Sequence, residues 1–220
     1  MTLVKTCGKL YWAGEYAILE PGQLALIKAI PIYMTAEITA SDGYRLYSDM
    51  FTYSVDLRPD SSYVLIQETV ALVEEYLTAQ GVELQPFSLD IRGKMEREGK
   101  KFGLGSSGSV VVLVIKAMLA FYGRPVDREF LFKLASAVLL KRGDNGSMGD
   151  IACIVSEDLV LYQSFDREKV AHWLEKEDLQ PVLDRDWGFS IESVEPGLEF
   201  DFLVGWTKEV AVSSHMVKQI

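Results

Sequence analysis

A glycine- and serine-rich run that opens directly into an apolar stretch limits how residues 102–118 can fold; the segment reads FGLGSSGSVVVLVIKAM. Glycine permits backbone conformations that bring N–H groups close to a bound group, and the apolar stretch is typical of a buried helix. We therefore predict a helix over residues 109–122 with a glycine loop before it. Such a helix N-terminus can hold an anion such as phosphate. A tight turn that only caps the helix has the same composition, so both interpretations stay open at this point.

The rest of the chain alternates short β-type segments with amphipathic ones. Segments that mix β-branched and aromatic residues predict strands at residues 32–39, 44–48, 87–91 and 159–163. Apolar residues at helical spacing predict helices at residues 62–80 and 127–140, with Asp127 as the N-cap of the second. The mixture indicates an α+β or α/β fold without repeats or an evident internal domain boundary.

Charge and cysteine content narrow the function classes. A net charge of −10 over 220 residues argues against a general nucleic-acid-binding or membrane-surface role, since both need basic surface. Cys7 and Cys153 are too few and too far apart for a disulfide framework or a zinc site, which favours a reducing, cytoplasmic setting. The N-terminus lacks a signal-peptide pattern, and no apolar run approaches the length of a membrane span. The sequence leaves the oligomeric state open.

Two familiar nucleotide-binding templates fit the glycine loop only in part. Gly103, Gly105 and Gly108 satisfy G-x-G-x-x-G, but charged residues precede them where a dinucleotide-binding fold needs an apolar strand. Gly103 and Gly108 also have the spacing of a Walker A loop, yet Ser109 and Val110 follow where that motif needs Lys and then Ser or Thr. Both templates are therefore excluded, and only the general anion-binding geometry remains.

Basic residues are concentrated just before this loop. The run contains Arg92, Lys94, Arg97, Lys100 and Lys101, interrupted by few acids, in a chain that is otherwise strongly acidic. A solvated surface turn is the usual explanation of such a run. Its position beside an anion-binding geometry favours a phosphate-bearing ligand instead.

Two further segments carry residues suited to chemistry, CGKLYWAGEY at residues 7–16 and RGDNGSMGDIAC at residues 142–153. Lys9 lies in an apolar stretch, where a lysine needs a partner or an anionic ligand. Asp144 and Asp150 bracket a glycine-rich turn, and Asp150 is either a helix N-cap or a functional carboxylate. A lysine, an aspartate and a glycine loop are the groups that phosphoryl transfer uses, because that reaction depends on positioning and charge neutralisation.

The combination of KLYWAGEY, GLGSSGS and NGSMGD, in this order, resembles the GHMP small-molecule kinases. Within that superfamily the chain is similar to the bacterial phosphomevalonate kinases from residue 1 to residue 220. The resemblance implies an α+β fold of the ribosomal protein S5 domain 2-like type, a mixed sheet with helices, and ATP bound without a Walker A loop. It also implies that residues 1–220 are the N-terminal, ATP-binding domain and stop near the start of a C-terminal domain.

The resemblance further implies roles for individual residues. Lys9 and Asp150 match the catalytic lysine and aspartate of the family, and Ser107 is the candidate Mg²⁺ ligand. Lys101, Ser147 and Ser213 match positions that hold the phosphorylated substrate. The residues implied to wrap the ATP phosphates are Gly103, Leu104, Gly105, Ser106, Ser107, Gly108 and Ser109.

The activity implied by the resemblance is transfer of the γ-phosphoryl group of ATP to (R)-5-phosphomevalonate, with ATP and Mg²⁺ as cofactors. The products would be 5-diphosphomevalonate and ADP, a step of isoprenoid biosynthesis. Mevalonate kinase or another GHMP small-molecule kinase is the nearest enzymatic alternative. A nucleotide-binding domain with impaired turnover is the alternative from another class.

Overall fold

The fold is built on one long, mixed β-sheet. The computed structural model describes residues 1–93, 95–97, 100–198 and 201–207. Its larger sheet has seven strands in the order β4-β3-β5-β2-β8-β9, with β1 also paired to β2. These strands are β1 (Thr2–Ala13), β2 (Leu24–Ala40), β3 (Arg45–Ser48), β4 (Ser54–Val55), β5 (Phe87–Arg92), β8 (Leu159–Gln163) and β9 (Ser190–Ser193). A separate hairpin pairs β6 (Glu96–Arg97) with β7 (Lys100–Lys101).

Strand β2 organises this sheet because it is long enough to pair with three others. Its first part pairs with β8, its last part with β5, and most of its length with β1, all antiparallel. Among the strands of the described residues, only β3 and β5 pair in parallel. The α+β fold with a mixed sheet is therefore confirmed.

The helices pack on the sheet and on one another, and the core lies between them. They are α1 (Val64–Ala79), α2 (Ser106–Phe121), α3 (Arg128–Lys141), α4 (Gly149–Ser156), α5 (Arg167–Lys176) and α6 (Leu179–Asp184), with a short 3₁₀ turn at Ala17–Leu19. Helix α2 is the central one, since it packs on β1, β2, α1, α3 and α4. Its apolar residues are almost all buried, as expected for a helix that is hydrophobic on most sides. None of the helices in the described ranges is both long and apolar enough to cross a bilayer.

The predicted elements are present, although α2 begins at Ser106 and not at residue 109, and two further differences are instructive. Residues 32–39 are only the second half of β2, because the strand begins before the segment that reads as β-type. Strand β1 was not predicted at all. Its alternation is broken where Thr6, Cys7 and Gly8 are buried in succession, at a register shift between Cys7 and Gly8. A bulge of this kind removes the period-2 pattern by which a strand is recognised.

Candidate active site

The glycine loop stands at the start of α2 and is tied to β1. Gly105 is the N-cap of α2 and has a left-handed backbone, with φ 77°, which glycine adopts without strain. The amide of Lys9 donates to the carbonyl of Leu104 at 3.0 Å. The N-terminus of α2 is thus fixed by backbone bonding to the strand that carries Lys9.

Two glycines let the predicted catalytic residues approach the loop. A Cβ atom added at Gly105 would lie 2.9 Å from Cε of Lys9 and 3.6 Å from Cβ of Asp150. A Cβ atom added at Gly108 would lie 2.7 Å from Oδ2 of Asp150. Lys9 and Asp150, which are 141 positions apart in the sequence, therefore meet at the glycine loop.

The ammonium of Lys9 is held by an aromatic ring. Its Nζ lies 5.0 Å from the centre of the Tyr11 ring, a cation–π arrangement. Lys9 and Tyr11 are two positions apart on β1, so their side chains leave the same face of the strand. This contact orients the ammonium and leaves its N–H donors available to an anion.

Asp150 belongs to the first turn of α4. The N-cap of α4 is Met148, so the interpretation of Asp150 as a helix N-cap is wrong. Its Oδ1 accepts a hydrogen bond from the amide of Ile151 at 2.9 Å. Burial raises the pKa of the Asp150 carboxyl above its ordinary value, while the nearby charge of Lys9 opposes that shift. The positive charge of Lys9 therefore offsets part of the free-energy cost of burying the Asp150 carboxylate.

Ser147 lies at the centre of a hydrogen-bonded group just before α4. Its hydroxyl shares a hydrogen bond of 3.0 Å with the hydroxyl of Tyr11 and accepts from the amide of Gly149 at 3.2 Å. The hydroxyl of Tyr162 donates to the carbonyl of Ser147 at 2.9 Å. Burial raises the pKa of Tyr11, and the charge of Asp150 adds to that shift, so Tyr11 stays a neutral phenol. Tyr11 was missed by the sequence reasoning, although its position two residues after Lys9 was a usable signal.

Ser109 has a different environment from the other predicted loop residues. It is fully buried, and its hydroxyl donates to the carbonyl of Cys7 at 2.9 Å. Thr6 returns a bond from its hydroxyl to the carbonyl of Ser109 at 3.2 Å. This hydroxyl joins α2 to β1 and faces the core, which corrects the expectation that it meets phosphate. Ser106 is half-buried and Ser107 is exposed, so their hydroxyls lie on the outer side of the loop.

The basic residues before the loop lie in two different parts of the fold, the end of β5 and the β6–β7 hairpin. Arg92 ends β5 and pairs with Asp90 at 2.8 Å, so its charge is already partnered on the sheet. The β6–β7 hairpin follows, and a bond of 3.0 Å from the amide of Phe102 to the carbonyl of Met95 extends it to the edge of the glycine loop. Lys101 belongs to β7, but its side chain lies outside the described part of the structure. Ser213 lies outside the described residues altogether.

Comparison with known proteins places this chain among kinases. The family model of the GHMP kinase N-terminal domain matches residues 64–158. A curated phosphomevalonate kinase from Streptomyces sp. (strain CL190) is 27% identical over an alignment of 236 positions that covers 97% of this chain and 63% of the relative. This chain therefore spans less than two thirds of that curated relative.

Solved structures give stronger matches. A Streptococcus pneumoniae phosphomevalonate kinase, solved in complex with phosphomevalonate and AMPPNP, is 75% identical with a TM-score of 0.98. The match covers all of this chain and 67% of that one. A protein from Listeria innocua is 32% identical with a TM-score of 0.93, covering 99% of this chain and 63% of that one. The chain therefore belongs to the GHMP kinase family, alongside the bacterial phosphomevalonate kinases.

Proposed function

We propose that this chain is the ATP-binding part of a kinase that transfers the γ-phosphoryl group of ATP to 5-phosphomevalonate. The products are 5-diphosphomevalonate and ADP. The observation that carries the proposal is the meeting of Lys9 and Asp150 at Gly105, between the N-termini of α2 and α4. Two helix N-termini and a lysine give a site that attracts two phosphorylated ligands at once. The pneumococcal relative, which binds phosphomevalonate and AMPPNP together, supports this assignment.

The glycine loop and α2 form the nucleotide side of the site. Backbone N–H groups of residues 103–108 and the dipole of α2 suit the ATP phosphates. The exposed hydroxyl of Ser107 and the carboxylate of Asp150 are hard oxygen ligands, which fit Mg²⁺ bound mainly through the nucleotide. When bound, Mg²⁺ neutralises charge on the transferred phosphoryl group.

The turn before α4 forms the acceptor side. Tyr11 contacts the side chain of Lys9 through its ring and that of Ser147 through its hydroxyl. Ser147 and the N-terminus of α4 therefore face the same region as Lys9. Lys101 and Ser213 are proposed to complete this side, on the strength of the family resemblance. The phosphate of the acceptor then lies beside the ammonium of Lys9, which offsets the repulsion between the two phosphates.

The proposed chemistry needs no general base. The second pKa of a phosphomonoester is about 6, so the attacking oxygen is already largely ionised at neutral pH. Lys9 neutralises the crowded phosphates in the transition state. Asp150 orients Lys9 or the metal and does not remove a proton. The setting proposed for this reaction is the reducing cytoplasm, where the buried free thiols Cys7 and Cys153 would persist.

Mevalonate kinase is the second candidate, and the environment of Asp150 is the observation that favours it. An alcohol acceptor must lose a proton, and a carboxylate whose pKa is raised by burial is suited to accept it. An Asp150→Asn variant assayed across pH separates the two mechanisms. We expect its rate–pH profile to keep every ionisation of the parent; loss of an ionisation assigned to Asp150 would contradict the orienting role.

The acceptor is tested by measuring ADP release with ATP and Mg²⁺ in the presence of phosphomevalonate, of mevalonate, or of neither. We expect release that depends on phosphomevalonate and stays at the background rate with mevalonate. Release with mevalonate alone would identify the second candidate. ATP binding without release for either acceptor would show a nucleotide-binding domain without turnover, and the proposed function would be wrong.

A further inference from the structure

Arg167, the first residue of α5, makes three hydrogen bonds to backbone carbonyls and lies beside the acceptor turn. Its Nη1 donates to the carbonyl of Asn145 at 2.5 Å and to that of Gly146 at 2.8 Å. Its Nη2 donates to the carbonyl of Leu19 at 2.6 Å. Neither the sequence motifs nor the roles proposed above include this residue.

The three carbonyls belong to two segments that flank the site. Asn145 and Gly146 immediately precede Ser147, and Leu19 ends the 3₁₀ turn that follows β1. One side chain therefore joins the segment after the strand of Lys9 to the turn before the helix of Asp150. The two segments are more than 120 residues apart in the sequence, so this connection is tertiary.

The chemistry of the guanidinium suits this task. Arginine presents several N–H donors in a rigid, planar arrangement, whereas lysine carries a single ammonium on a flexible stem. Hydrogen bonds from a charged donor are stronger than neutral ones, and Arg167 is partly buried, which limits competition from water. The guanidinium of Arg167 bonds to backbone carbonyls and not to a carboxylate. Its effect is therefore to fix the path of the main chain at these two segments.

We propose that Arg167 is a positioning residue for the acceptor side of the site. It fixes the turn at Asn145 and Gly146, and thereby the hydroxyl of Ser147 and the start of α4, relative to Lys9. This inference rests on the proposed function. The glycine loop is held by a different contact, the bond from the amide of Lys9 to the carbonyl of Leu104, in which Arg167 takes no part.

Steady-state kinetics of Arg167→Met and Arg167→Lys test the inference. We expect Arg167→Met to raise KM for phosphomevalonate by about tenfold or more while KM for ATP stays within about twofold. Arg167→Lys should give an intermediate KM, since it keeps the charge and loses the planar fork. Equal changes in both KM values, or no change in either, would overturn the proposal.

Arg185→Met is the matched control. Arg185 follows α6 and also makes two side-chain hydrogen bonds, at 2.8 and 2.6 Å, but to Glu177 and away from the site. We expect its KM values to equal those of the parent chain. A similar rise in the acceptor KM would show that any lost surface arginine has this effect, and the inference would be wrong.

Hydrogen exchange of the ligand-free chain separates this inference from the proposed function. In both Arg167 variants the amides of residues 143–149 should exchange faster, while those of residues 103–109 keep the parent rate. If neither acceptor causes the parent chain to release ADP, the proposed function is wrong. The exchange comparison still decides whether Arg167 fixes the turn. Unchanged exchange at residues 143–149 would overturn that role.

Discussion

The glycine loop before α2 and the turn before α4 both lead into a helix whose N-cap has a left-handed backbone, Gly105 in one and Met148 in the other. They differ in how they are held. The glycine loop and the first turn of α2 are held to the single strand β1, by the backbone bond from Lys9 to Leu104 and by the hydroxyl of Ser109, and glycines there admit close neighbours. The turn before α4 is fixed by side chains from distant parts of the chain, which are Tyr11, Tyr162 and Arg167.

Because the two sides are held differently, we expect different kinds of substitution to disturb them. The nucleotide side has little room for added atoms at Gly105 and Gly108, which lie against Lys9 and Asp150. The acceptor side depends on contacts that a single distant substitution removes. Lys9 is the residue that both sides share.

Lys9→Met should have the largest effect. We expect turnover to fall by about 100-fold or more, because the charge that neutralises the phosphates in the transition state is lost. ATP affinity should change by only a few-fold, since the glycine loop and α2 remain. ADP release and nucleotide titration measure the two effects. Lys5→Met is the control, because Lys5 lies on the same strand but its Nζ lies over Tyr33; unchanged turnover in Lys9→Met would remove Lys9 from the mechanism.

Gly108→Ala should have the next largest effect, and it tests the crowding on the nucleotide side. The new Cβ would lie 2.7 Å from Oδ2 of Asp150 and 3.1 Å from Cδ1 of Ile151, so the side chains of Asp150 and Ile151 must shift from their positions at the loop. We expect a loss of about 1–3 kcal/mol in the free energy of unfolding, together with a lower turnover. Denaturant unfolding measures it. Gly43→Ala, where no atom lies within 4 Å of the new Cβ, should be close to neutral; equal losses in both variants would show that crowding is not the cause.

Asp150→Asn should increase stability at neutral pH while it lowers activity. Because burial raises the pKa of Asp150, the folded chain holds that proton more tightly than the unfolded chain, and stability falls as pH rises above the ordinary value of 3.8. Asparagine removes this penalty, so the thermal midpoint should rise by about 2–4 °C at neutral pH. The gain should shrink as pH falls towards 4.

Thermal unfolding at several pH values measures this gain. Asp42→Asn, at an exposed turn after β2, is the control and should leave the midpoint unchanged at every pH. A lower midpoint for Asp150→Asn at neutral pH would show that the attraction to Lys9 outweighs the burial of the carboxylate.

Tyr11→Phe should have the smallest effect, confined to the acceptor side. The ring that supports the Lys9 ammonium remains, and only the hydrogen bond to Ser147 is lost. We expect KM for phosphomevalonate to rise by about two- to fivefold with turnover nearly unchanged, the effect of one neutral hydrogen bond. Tyr33→Phe, at an exposed tyrosine of β2, is the control. A fall in turnover without a change in KM would place the hydroxyl of Tyr11 in the chemical step.

The same contrast shows what the sequence was able to predict. The glycine loop and α2 were predicted because their signals are local, a run of small residues followed by a long apolar stretch. Asp127 was correctly predicted as the N-cap of α3, where it accepts from the amide of Phe130. Lys9 and Asp150 were singled out from their local sequence, the family resemblance implied their catalytic roles, and the structure places both at the loop.

What remained hidden depends on pairing between distant segments. The bond between Tyr11 and Ser147 joins residues 136 positions apart, and the contacts of Arg167 reach back to Leu19. The hydroxyl of Ser109 faces the core because of how α2 packs on β1, and a bulge breaks the alternation of that strand. No local pattern encodes these contacts, so they required the fold.

The most direct test of two separately held sides compares Ser107→Ala with Ser147→Ala in one assay of ADP release. These roles predict that Ser107→Ala raises KM for ATP with Mg²⁺ and leaves KM for phosphomevalonate unchanged. Ser147→Ala should do the reverse. A shift of the same KM in both variants would contradict the division of the site into a nucleotide loop and an acceptor turn.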